Sequence, residues 1–87
     1  MQKLTTEVLK IRLIYGNEKK EFFCEYFFLK IEKYEYSFFF NHKSSILPLK
    51  ESEVIFYTAE DTIDKICILN GFFTFNKNIA TFFIENE

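Results

Sequence analysis

His42 is the only histidine of the chain, and Ser44 and Ser45 follow it closely. With a distant acid, these types could form a hydrolase triad, in which the imidazole takes a proton from a serine hydroxyl. The surrounding sequence lacks a nucleophile elbow and a Gly-rich oxyanion loop, so His42 reads as a solvated loop histidine. Paired acids are the next candidates. Glu51/Glu53 and Glu60/Asp61/Asp64 could serve in proton transfer or hold a hard cation. Neither group has EF-hand spacing or an adjoining ligand histidine, and solvated faces or helix-dipole partners explain them better. Cys24 and Cys67 show no metal-ligand or CxxC spacing. Their apolar neighbours suggest two buried, reduced thiols, with a single disulfide as the alternative. No catalytic residue, metal or cofactor is expected.

The run Asn70-Gly71-Phe72-Phe73-Thr74-Phe75 resembles the aromatic RNA-binding strand of RRM domains in its alternating rings. The basic first residue, the second small residue and the following Val of that motif are missing. A structural strand start is the simpler reading, although alternating Phe on an open sheet can stack bases without sequence preference.

The element expected to organise the chain is a helix near 59–70. Thr58 suits an N-cap, its hydroxyl accepting from the Asp61 amide. Glu60 and Asp61 would sit at the positive end of the dipole. Ala59, Ile63, Ile66, Cys67 and Asn70 share a face at helical spacing, and Gly71 suits a left-handed C′ position. The rival is a strand at 65–69 turning through Asn70-Gly71 into a second strand at 72–76. The helix accounts for the cap, the early acids and the glycine together, and is the preferred reading.

Around it, strands are expected. Leu9, Ile11, Leu13 and Tyr15 alternate with Lys10 and Arg12. Gly16–Lys20 reads as a polar turn. Glu21–Ile31 reads as a strand apolar on both faces, with a helix capped by Asn17 as the alternative. Tyr34, Tyr36, Phe38 and Phe40 form an aromatic ladder. Asn41–Glu53 reads as a polar loop with an apolar island, Ile46-Leu47-Pro48-Leu49. Val54–Tyr57, Phe72–Asn76 and Ile79–Glu85 complete the strands, the last two joined by a tight turn at Lys77-Asn78. The expected fold is α+β, one domain over 1–87, with a mainly antiparallel sheet of five or six strands and one covering helix.

Composition bounds function. Thirteen Phe and five Tyr in 87 residues exceed what so small a core can hide, so clustered aromatic exposure would mark a binding surface or a homodimer. A single Arg among eleven basic residues, with abundant Phe, Ile, Asn and Glu, fits an AT-rich genome. The net charge of −2 gives little attraction to phosphate. Neither a signal peptide nor a membrane-spanning run is present in the sequence, which suggests a cytoplasmic protein away from membranes.

The reading that results is a non-catalytic protein-binding module, an inhibitor or adaptor acting by steric occlusion. A phage or mobile-element anti-defence protein, such as an anti-CRISPR, has this profile. Single-stranded nucleic-acid binding through exposed Phe and Tyr is the alternative. Expected partner-binding residues are Ile46, Leu47 and Leu49, presented by Pro48, with Tyr34, Tyr36 and Phe38 beside them.

Overall fold

The computed structural model describes residues 7–58 and 61–85. Within these residues seven strands form one mixed sheet: β1 (Leu9–Tyr15), β2 (Glu18–Cys24), β3 (Tyr26–Ile31), β4 (Tyr34–Phe38), β5 (Ser45–Tyr57), β6 (Thr62–Asn76) and β7 (Ile79–Ile84). Their order is β2-β1-β7-β6-β5-β3-β4. β1 and β7 run parallel; every other neighbouring pair is antiparallel. No helix occurs among the described residues, so the expected α+β class, with five or six strands and a covering helix, is corrected to an all-β fold of seven strands there.

The helix failed because its residues had a better partner. β6 pairs with β5 along nearly its whole length, from Thr62 opposite Tyr57 to Phe75 opposite Ser45. A dozen isolated residues make only a marginal helix, and Ile63, Ile66 and Ile68 are β-branched. Part of the cap chemistry survives in another role. The Asp61 amide does donate to the Thr58 hydroxyl, at 3.2 Å, and the Thr58 amide donates to the Asp61 carbonyl at 2.8 Å. These bonds close the turn between β5 and β6. Ala59 and Glu60, the expected first turn of the helix, lie outside the described residues. The rival hairpin at Asn70-Gly71 is also overturned, because β6 runs straight through it.

Gly71 instead marks where the sheet folds over. In β5 the inward residues are Leu47 and Leu49, then Ser52, Val54 and Phe56. In β6 they are Ile66 and Ile68, then Phe73 and Phe75. Both strands thus change their buried face at Lys50–Glu51 and Asn70–Gly71. The pairing does not slip there: Lys50 faces Asn70 and Ser52 faces Ile68. Glu51 has φ 50° and Gly71 has φ 151°. A side chain at Gly71 would overlap the Phe83 carbonyl oxygen of β7, so only glycine fits.

The coiled β5–β6 ribbon therefore turns one sheet into two layers. β2, β1 and β7 continue into 71–76 and 45–49; β4 and β3 continue into 52–57 and 62–68. Phe rings meet between them: Phe27 lies 5.7 Å from Phe82, Phe38 lies 4.9 Å from Phe73, and Phe22 lies 5.0 Å from Phe56. Most are tilted or edge-on, the favoured geometry for aromatic pairs. Lys20 reaches Asp64 at 3.7 Å, joining β2 to the start of β6 at the rim.

Other expectations fared unevenly. The β1, β4 and β7 strands and the Lys77-Asn78 turn are present, the latter with φ of 50° and 65°, as a type I′ hairpin needs. The expected strand Glu21–Ile31 is two strands broken at Glu25, one in each layer. The Glu25 amide donates to the Tyr57 carbonyl at 2.9 Å at the crossing. The expected loop Asn41–Glu53 is largely β5. Pro48 is tolerated because, among the described residues, 45–50 pairs with β6 alone, leaving one side of the backbone open. Of the two cysteines expected to be buried, Cys24 is and Cys67 is exposed, and the two form no disulfide with each other.

Two outcomes are expected. Gly71→Ala should lose roughly 3 kcal/mol or more of stability in urea unfolding, through backbone strain and the clash with Phe83, while Gly16→Ala, with open space around it, should lose about 1 kcal/mol. Burial, reinforced by Glu25, pushes the Cys24 thiol up to about 12 from 9.0. Native protein should therefore show one fast-reacting thiol, Cys67, and a second only on denaturation. Above pH 9 the unfolded chain loses a proton that native Cys24 keeps, so the unfolded state binds fewer protons and stability falls as pH rises toward 12. That component should vanish in Cys24→Val.

Candidate binding surface

The residues that could do chemistry are tied into structure. The His42 ring packs 4.5 Å from Phe38, and its Nδ1–H donates to the Lys43 carbonyl at 2.9 Å. The Ser44 hydroxyl donates to Asn76 Oδ1 at 2.9 Å, and that of Ser45 to the Lys43 carbonyl at 3.3 Å. Asn41 and Asn78 bond each other reciprocally, fixing the β4–β5 connection against the β6–β7 turn. Among the described residues no cluster of three or more His, Cys, Asp or Glu could hold a metal ion.

The paired acids are likewise engaged. Asp61 and Asp64 each accept from the amide of the next residue, at 2.7 and 2.8 Å. Glu53 bridges Lys65 at 2.9 Å, and this pair raises the Lys65 pKa. Glu51 and Glu53 line an open groove of about 310 Å³ together with Lys30 and Glu32. Glu60 lies outside the described residues. On the other layer Glu21 gathers Lys10, Arg12 and Lys19. Arg12 Nε sits 3.1 Å from Glu21 as an ion pair without hydrogen-bond geometry.

The structure scatters the six residues expected to bind a partner. Leu49 and Phe38 are core side chains, and Leu47 packs half-buried against the core. Ile46 is 75% exposed, on the opposite face of β5. Alternation along a strand forces this: neighbours cannot share a face. Tyr34 and Tyr36 are 57% and 37% exposed along β4. Phe38 does approach the Leu47 neighbourhood, because its contact Phe73 is the register partner of Leu47.

A different aromatic surface forms on the outer side of the β3–β5 layer. Tyr26 faces Tyr57 in register, with rings stacked at 4.9 Å and an interplanar angle of 5°. Phe39 stacks on Tyr26 from the other side, at 5.3 Å and 13°. Phe28 packs against both tyrosines, at 5.7 and 5.3 Å. Ile55 lies beside Phe28 in register. Half of Phe39 is open to solvent. These rings come from three separated segments. Tyr26 and Phe28 share a face by alternation, which is visible in the sequence; the approach of Tyr57 depends on the β3–β5 register, which is not.

The charge around this patch is balanced. The next outward row runs Glu35, Lys30, Glu53, Cys67 across four strands, and Lys65, beside Ile55, is bridged to Glu53. No continuous basic track accompanies the rings among the described residues. A second, smaller apolar row crosses the outer side of the other layer: Pro48, Phe72, Phe83 and Ile14 follow one another in register, with Phe72 and Phe83 stacked at 4.7 Å.

No helix among the described residues is long and apolar enough to cross a membrane. No protein-family model matches the chain, and comparison with curated proteins gives no match.

Proposed function

We propose that the chain is a non-catalytic protein-binding module, an inhibitor or adaptor that acts by occlusion and docks through the Tyr26–Phe28–Phe39–Tyr57 surface. The observation that carries this reading is a cluster of four rings, Phe39 and Tyr57 stacked on Tyr26 and Phe28 tilted against both tyrosines, on the solvent side of a sheet whose core is already full of Phe. Rigid aromatic side chains with few rotors, already held by their neighbours, lose little entropy on binding and make good anchors. The acids and lysines around them suit the polar rim of a protein interface.

The same rings support single-stranded nucleic-acid binding less well. Stacking platforms need a cationic groove for the backbone, and here Lys65 is bridged and Lys30 stands between Glu35 and Glu53. A small acidic chain with AT-rich composition suits a phage or mobile-element inhibitor of a host defence system, such as an anti-CRISPR, working in the cytoplasm. That origin is the finer part of the proposal, supported by composition alone.

The test compares wild type with Phe39→Ser and Phe28→Ser. Both variants should stay folded, with stability within about 1.5 kcal/mol of wild type. A partner retained from host extract, then purified and titrated, should lose roughly 30-fold or more in affinity for each variant, as hot-spot residues do. Equal affinity for all three proteins would sink this surface. A labelled uridine 20-mer at about 0.15 M salt should bind no tighter than tens of micromolar. Sub-micromolar binding that Phe39→Ser abolishes would make the surface a nucleic-acid platform instead.

A further inference from the structure

Among the described residues β4 is the terminal strand of the sheet, with no neighbouring strand on one side of its backbone. Exposed strand edges invite pairing with another chain and are usually guarded by charge, Pro or a bulge. The other edges carry such devices: β6, which over 62–68 has only β5 beside it among the described residues, holds Asp64 and Lys65 there. β2 begins with Glu18, Lys19, Lys20 and Glu21 in succession, and Lys20 bridges Asp64. The open stretch of β5 carries Pro48. β4 has none of these devices. Its sequence Tyr-Glu-Tyr-Ser-Phe holds one charge, no Pro, no Gly and no residue of positive φ, and its first four residues are exposed.

We propose that this edge pairs with the β4 edge of a second copy, antiparallel about a two-fold axis at Tyr36. This register matches all five residues of β4 with all five of the copy. It sets Tyr36 against Tyr36, Tyr34 against Phe38, and Glu35 against Ser37. Aromatic meets aromatic, and the only charged side chain meets a hydroxyl, both favourable cross-strand pairs. A register centred on Glu35 would instead oppose two carboxylates. The two-fold axis stands perpendicular to the sheet, so the aromatic surfaces of both copies lie on the same side of a continuous layer. The proposal does not rest on the docking surface above, since Tyr26, Phe28, Phe39 and Tyr57 lie off the edge itself.

A five-residue edge buries less than a standard interface, so the dimer is weak. Sedimentation equilibrium over roughly 5 to 500 µM should show the mass rising from 10.6 kDa toward twice that value. Ser37 is exposed, so its variants leave the fold intact. Ser37→Lys places a cation opposite Glu35 of the second copy and should tighten the dimer. Ser37→Glu places like charges there and should loosen it. Two such pairs per dimer give about 2- to 30-fold in each direction. Adding Glu35→Lys to Ser37→Glu should restore dimerisation. Wild type and Ser37→Lys both monomeric throughout would overturn the proposal, as would both Ser37 variants shifting association the same way. Dimerisation that responds to Phe39→Ser but not to Ser37 would move the contact to the aromatic surface and also overturn it. So would a monomeric chain whose affinity for another protein follows the Ser37 charge, because the edge would then take a partner's strand.

Discussion

The fold depends on one close approach, that of the Gly71 backbone to the Phe83 carbonyl. There β5 and β6 change which face is buried without changing which residues pair. A ribbon that kept one face inward would make a single layer, with only one side to bury its Phe against. Coiled at this point, its two ends present opposite faces to a shared interior, and Phe27, Phe38 and Phe56 meet Phe73, Phe75 and Phe82. Packing of those rings favours the coil, and the missing side chain at Gly71 permits it.

The polar fixtures follow from that geometry. Where the chain crosses between the layers or turns back at a rim, its backbone groups need partners. Thr58 with Asp61, Glu25 with Tyr57, and Asn41 with Asn78 supply them. The histidine and serines beside these crossings are drawn into the same work. Their hydrogen bonds hold the β4–β5 connection: His42 and Ser45 both donate to the Lys43 carbonyl, and Ser44 donates to Asn76.

Surface character comes from the same alternation. With one face of each layer filled by Phe, every further ring on these strands must face water or a partner. Tyr26, Phe28, Phe39 and Tyr57 reduce that exposure by packing against one another. The result is a rigid aromatic surface in nearly balanced charge, beside an edge strand that carries a single carboxylate.

The amino-acid sequence alone determined the local pieces. Alternation in Leu9–Tyr15, in the Tyr34–Phe38 ladder and in Ile79–Ile84 made strands legible, because period-two patterns need only near neighbours. Lys77-Asn78 was legible as a turn because two polar residues separate two apolar runs, and Asn78 tolerates positive φ. That many rings would remain exposed followed from their number in so short a chain. The stretch 58–71 misled, since a cap residue, early acids and a terminal glycine serve a tight turn and a coiled strand as readily as a helix. Only the tertiary structure decided between them, through the long pairing with β5. It also decided that Leu49 and Phe38 are interior, that Ile46 is exposed, and that Tyr57 stacks on Tyr26. Each of these depends on which strands become neighbours and in what register. That choice minimises the free energy of the whole chain, and no window of adjacent residues contains it.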